Sequence, residues 1–130
     1  MVAQPLAFFE ASGLPDEVFR LSTVIKKYRS VQNDLHAGII LPIGEEPDGI
    51  SWTGFQSIRE DEGYFLVFRE MNLTGSAPLK TWLTPGSKIK CDPVTGSGKS
   101  LAATVDSDGR VVFSLPQANS YCLYKYQIMN

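Results

Sequence analysis

Apolar residues recur at Val18, Leu21, Ile25, Tyr28, Val31 and Leu35, at intervals of three and four. Because 3.6 residues complete a helical turn, that spacing draws one stripe along a helix. Lys26, Lys27, Arg29, Gln32 and Asn33 fall mostly on the other side. Pro15 suits a first-turn position, where a missing N–H costs nothing. Asp16 and Glu17 set negative charge against the positive end of the helix dipole. Gly38, just past His36, is a C-terminal stop. The pattern predicts one amphipathic helix over 15–36.

Beyond Gly38 the periodicity changes. Short apolar or alternating runs over 39–43, 52–58, 64–69, 79–83, 88–91, 102–105, 110–115 and 121–128 are separated by clusters of turn residues. The run Tyr64 to Arg69 is nearly continuous, as a central strand covered on both faces would be. Asp106-Ser107-Asp108-Gly109 carries the Asp-Gly pair of a hairpin turn. Seven or eight short strands at this spacing predict a mainly β protein, an antiparallel β-sandwich of seven or eight strands preceded by one amphipathic α-helix. The apolar face of the helix needs a cover, either the sandwich or a body outside the sandwich.

At 130 residues the chain has the length of one domain. It is 43% hydrophobic and 20% charged, with a net charge of -2. These values suit a soluble globular protein and argue against disorder. They leave no electrostatic footprint for nucleic acid or an anionic membrane. No run of about 18 apolar residues is present to span a membrane. The first ten residues have no basic stretch of the signal-peptide kind. The apolar Leu6-Ala7-Phe8-Phe9 near the terminus suggests a chain continuous with something longer. Cys91 and Cys122 are too few for a disulfide framework and form no Cys-x-x-Cys pair. Both fall in strand-like runs, where a buried free thiol is the simpler expectation.

The stretch Ile25-Lys26-Lys27-Tyr28-Arg29-Ser30, followed by Asp34-Leu35-His36-Ala37-Gly38 and Ile43, resembles the last barrel helix of α-galactosidase-like glycoside hydrolases. Trp52 with Phe55, the run Glu62 to Arg69, the Val94-Thr95-Gly96 turn, and the closing hairpin strands 110–115 and 121–126 resemble the sandwich that follows the barrel in that clan. The resemblance implies that residues 1–38 are a remnant of the last strand-helix unit of a catalytic barrel. Residues 39–130 would be the C-terminal sandwich domain. Gln4 to Glu10 would belong to the last barrel strand and its loop. The helix face of Val18, Leu21, Ile25 and Tyr28 would pack on a barrel belonging to the same polypeptide. The two catalytic carboxylates of the family sit on earlier barrel strands, and no residue here matches them.

Other candidate chemistry is thin. Thr95-Gly96-Ser97-Gly98-Lys99-Ser100 echoes a phosphate loop, but Pro93 stands where the motif needs its first glycine. His36 is the only histidine, so a triad or histidine metal cluster would have to use it; its place at the helix C-terminus suits a structural role. Glu45, Glu46 and Asp48, or Asp106 and Asp108, carry the oxygens calcium prefers, without a full calcium-loop pattern. Asn72-Leu73-Thr74 matches a glycosylation sequon. The aromatics Trp52, Trp82, Tyr64, Tyr121, Tyr124 and Tyr126 could stack on a sugar ring if exposed in a row; Trp52, Trp82 and Tyr64 are the leading candidates. The expected function is a non-catalytic accessory domain supporting a glycosidase barrel, with no cofactor and no metal. A carbohydrate-binding module and a protein-interaction domain are the alternatives, making carbohydrate a second candidate partner.

Overall fold

The structure, a computed structural model, describes residues 13–129. The expected barrel-strand remnant at Gln4 to Glu10 lies outside the described residues. One helix, α1 (Asp16–His36), is followed by strands β1 (Ile39–Gly44), β2 (Trp52–Arg59), β3 (Glu62–Arg69), β4 (Ser76–Lys80), β5 (Lys88–Gly96), β6 (Leu101–Thr104), β7 (Arg110–Ser114) and β8 (Ser120–Met129). They form a six-stranded sheet in the order β1-β2-β3-β8-β5-β6 and a two-stranded sheet of β4 and β7. Every pairing is antiparallel. The expected mainly β sandwich with one leading helix is what the chain forms.

The core lies between the two sheets. Side chains alternate across a strand, so each strand of the large sheet sends one set inward and one outward. The inward set includes Trp52 and Gln56 of β2, Phe65 and Val67 of β3, Cys91 of β5, and Cys122, Tyr124 and Tyr126 of β8. From the small sheet Leu79, Val111 and Phe113 meet them. Phe65 stacks on Tyr126 at 4.5 Å between ring centroids and meets Phe113 edge-on at 5.2 Å. Buried polar groups in this layer find partners. Gln56 donates to the Tyr126 hydroxyl (3.2 Å) and accepts from the Trp82 backbone N–H (2.8 Å). Buried Arg69 spends its guanidinium on the carbonyls of Leu115 and Asn72. Among the described residues the exceptions are Trp52 Nε1 and the Tyr124 hydroxyl.

Several local expectations are corrected. The strand expected at 79–83 runs over 76–80, on the edge of the small sheet, where Pro78 costs no shared ladder bond. The strand expected to stop at Cys91 continues to Gly96, so Val94-Thr95-Gly96 is strand and not turn. Pro93 is accommodated because the register with β8 shifts between Pro93 and Thr95, a bulge that frees Val94 to pack near α1. The Asp-Gly turn at 106–109 forms, with Asp106 Oδ1 accepting from the backbone N–H groups of Asp108 and Arg110. It joins no hairpin, however. β6 pairs with β5 in the large sheet and β7 with β4 in the small one, so the turn carries the chain from one sheet to the other. For the same reason β7 and β8 are not a closing hairpin. Each thiol is free and buried, and the register sets Cys91 opposite Tyr126 but Cys122 opposite Gly96. Burial pushes the Cys91 thiol up to about 12.

Candidate binding surface

The outer face of the large sheet is the part of the molecule that a partner could use. Its outward set comprises Thr53, Phe55 and Ser57 of β2, Tyr64, Leu66 and Phe68 of β3, and Tyr121, Leu123 and Lys125 of β8, since the inward residues alternate with these. A sheet face this apolar needs covering, and α1 supplies part of the cover. Leu35, Tyr64 and Leu123 form a second buried cluster, with Tyr28, Val31, Ile40, Leu66 and Val94 packed around it.

Polar contacts fix the C-terminal end of the helix. Asp34 pairs with Arg59 and with Lys125 (3.6 Å), and accepts from the Tyr64 hydroxyl at 2.7 Å. Lys125 also reaches Glu62 at 3.2 Å and lies over the Tyr64 ring. The Ser57 hydroxyl donates to the carbonyl of Leu35 at 2.6 Å, satisfying one of the carbonyls that a helix end leaves free. The Tyr64 hydrogen bond, followed by the charges of Lys125 and Arg59, holds the Asp34 carboxyl below its usual range. Burial and that same bond keep the Tyr64 hydroxyl protonated far above its ordinary range. His36 Nε2 sits 3.2 Å from the Tyr28 hydroxyl, a contact within the helix end.

The N-terminal half of α1 has no such cover among the described residues. Leu35 is 0% exposed, whereas Leu21 is 53% and Ile25 50% exposed. Of the four residues expected to face a barrel, Val18 and Tyr28 are half-buried and Leu21 and Ile25 are open. The side of the helix matters too. At about 100° per residue, Asp34 lies roughly 80° to one side of Val24, and Leu21 and Ile25 about 60° and 100° to the other. Asp34 looks toward Arg59 and Lys125, at one set of strand ends. Leu21 and Ile25 therefore lie on the flank of the helix away from Asp34.

Where β2 begins, β3 ends and β8 begins, the large sheet carries a trough of about 750 Å³. Pro42, Phe55, Phe68 and Tyr121 line it, and Phe68 and Tyr121 also line a smaller gap of about 240 Å³ beneath Val24 and Tyr28. The two hollows thus share the Phe68 and Tyr121 side chains. Glu45 and Glu46 stand on the rim, exposed. Glu70 is there too, but its Oε2 accepts from the backbone N–H groups of Asp48, Gly49 and Ser51 and from the Ser51 hydroxyl. Those bonds, Ser51 first, hold the Glu70 carboxyl below its usual range and pin the loop that walls the trough.

The aromatics singled out in the sequence are not brought together. Trp52 (3% exposed) lies between the sheets and Tyr64 (2%) lies under the helix, so neither presents a ring face to a sugar. The reason is parity: Trp52 occupies an inward position, and Tyr64 an outward position that α1 covers. Trp82 is 59% exposed, and its indole N–H donates to the carbonyl of Pro42 at 2.8 Å, beside the edge strand β1. Tyr124 and Tyr126 are core. Of the original set Tyr121 alone lines the trough, joined by Phe55 and Phe68, which composition did not single out. The signal was available in Tyr64-Phe65-Leu66-Val67-Phe68, where both parities are apolar and the outer face must therefore be covered or used.

The remaining candidates hold no chemistry together. Ser97 to Ser100 form an exposed link between β5 and β6, with the Ser100 hydroxyl donating to Asp92 at 2.7 Å. Asp48 Oδ1 accepts from the Ile50 N–H, as the carboxylate of a turn does. Asn72 braces its loop, donating to Ile50 and accepting from Thr74. Among the described residues no group of three His, Cys, Asp or Glu side chains is placed to hold a metal ion, and no helix is long and apolar enough to cross a membrane. Comparison of the chain with protein-family models, with curated proteins and with solved structures gives no match.

Proposed function

We propose that the chain is a non-catalytic accessory domain of a larger glycoside hydrolase of the α-galactosidase-like kind, docked against its catalytic barrel through α1 and the adjoining sheet face. The observation that carries this reading is the divided helix stripe: it is sealed at Leu35 and half open at Leu21 and Ile25. The helix-then-sandwich order supports it as well, being the order in which that clan leaves its barrel. The role assigned to the domain is mechanical. Burying the open stripe against a larger body would remove apolar area from water at roughly 25 cal/mol per Å².

Two measurements test it. The coding sequence immediately upstream is expected to encode, in frame, a barrel of roughly 250 residues. An in-frame stop codon directly ahead of Met1 contradicts the reading. The purified 130-residue chain is expected to leave a nitrophenyl α-galactoside unhydrolysed; turnover would assign it chemistry of its own.

A second reading, carbohydrate binding, draws on the aromatic floor of Phe55, Phe68 and Tyr121 beneath a polar rim. Titration with galactosides, followed by NMR, distinguishes the two: the accessory reading expects no shift at Phe68 or Tyr121.

A further inference from the structure

The trough on the outer face of the large sheet has one feature that an indifferent apolar surface lacks, which is a single sign of charge on its rim. Glu45 and Glu46 are exposed and make no ion pair among the described residues. Glu70 adds a third carboxylate, turned into its loop. Among the described residues no lysine lines the trough, and its one arginine, Arg69, is committed to two carbonyls.

The dimensions favour a helix as occupant. From Tyr121 on β8 across Phe68 and Phe55 to Pro42 on β1 is three strand intervals, about 14 Å. That length matches about nine helical residues at 1.5 Å each, and a helix is about 10 Å across. Two helices on one sheet pack side by side at about 8–10 Å, and α1, whose Val24 and Tyr28 stand over the same Phe68 and Tyr121, supplies the neighbour beside which a second would lie. We infer that the trough over the Phe55–Phe68–Tyr121 floor receives one amphipathic α-helix of a partner surface, with basic residues at the end that meets Glu45 and Glu46. This rests on the docking reading above and deepens it by naming the contact. The apolar stripe of the partner helix would cover the aromatics, and Lys or Arg would meet the rim.

The test uses the full 130-residue chain at low salt and two synthetic 14-residue helical peptides sharing one leucine stripe, one filled out with lysine and the other with glutamate. NMR titration is expected to show the lysine peptide shifting signals of Glu45, Phe55, Phe68 and Tyr121, and the glutamate peptide binding at least tenfold more weakly. The Phe68→Glu variant is expected to lose the lysine peptide. The exposed pair Glu45→Lys and Glu46→Lys, which leaves the fold untouched, is expected to reverse the preference between the peptides. Several outcomes overturn the inference: equal binding of both peptides, no binding at millimolar concentration, or a preference unchanged by the charge reversal. Self-association of the free chain through Phe68 would give the face to a second copy, and galactoside-induced shifts at the same signals would give it to a sugar; either contradicts a helical occupant. The peptide result is independent of what lies upstream in the gene, so failure here and failure of the glycosidase reading can be told apart.

Discussion

The two apolar layers of this molecule are finished to different degrees. Between the sheets Phe65, Phe113, Tyr124 and Tyr126 are sealed from water and interlocked ring to ring. Outside the large sheet the second layer is complete only at the end where Leu35, Tyr64 and Leu123 meet. There a cluster of charges on Asp34, Arg59, Lys125 and Glu62 ties the helix down. Three to four turns away the same helix shows half-exposed leucine and isoleucine, and the sheet nearby carries a trough of aromatic side chains. Folding of the sandwich needs the first layer. The second layer needs its tethered end, and its other end is left uncovered by the described residues.

Substitutions should separate these layers by size of effect. Phe65→Ala removes a ring that contacts Phe113 and Tyr126, and is expected to cost about 3–5 kcal/mol in urea unfolding. A loss under about 1 kcal/mol would mean the inter-sheet core is not the foundation. Gly98→Ala probes the same layer from its rim, because a Cβ there would collide with the Tyr124 hydroxyl. Overpacking of this kind is expected to cost about 1–3 kcal/mol, measured by the shift in thermal midpoint.

Leu35→Ala should cost about 2–3 kcal/mol, since the cluster it leaves is small and can partly collapse. Helical circular dichroism is expected to fall with it while the near-ultraviolet signal of the sandwich aromatics persists; joint loss of both signals would show one indivisible unit. Asp34→Asn is expected to cost about 1 kcal/mol, because the group is partly solvated and its ion pairs are screened. The corresponding pH dependence has a definite sign. Asp34 is held below its ordinary value of 3.8, so its contribution is present in full above that value and is lost as pH falls through the lowered one. Acid titration of helix docking should show this loss in the wild type and not in Asp34→Asn; a loss setting in above pH 5 instead would assign the tether to another group.

The helix and most of the strands could be read from the sequence, because each rests on a local pattern: a stripe at three and four, or an alternation between turn residues. The extents of β4 and β5 could not, since a proline inside a run reads as an end unless the edge position or the bulge that tolerates it is known. Sheet assignment was equally hidden. Asp106 to Gly109 has the residues of a hairpin turn, yet whether the flanking strands pair is decided by partners far away in sequence, β5 for one and β4 for the other. The candidate surface was half legible. The helix stripe was visible, but which half stays open depends on where the sheet ends. Trp52 and Tyr64 show the same difficulty in reverse, for an aromatic in a strand has two possible faces and only the assembled sandwich says which one is covered.

Leu21 and Ile25, at the open end of α1, form a surface that the described residues do not bury. The direct measurement is urea unfolding of the double variant Leu21→Ser and Ile25→Ser. The predicted result is a midpoint within about 0.5 kcal/mol of wild type, the range of exposed substitutions. A loss of 2 kcal/mol or more would place those side chains in a core of the chain's own making and contradict the account.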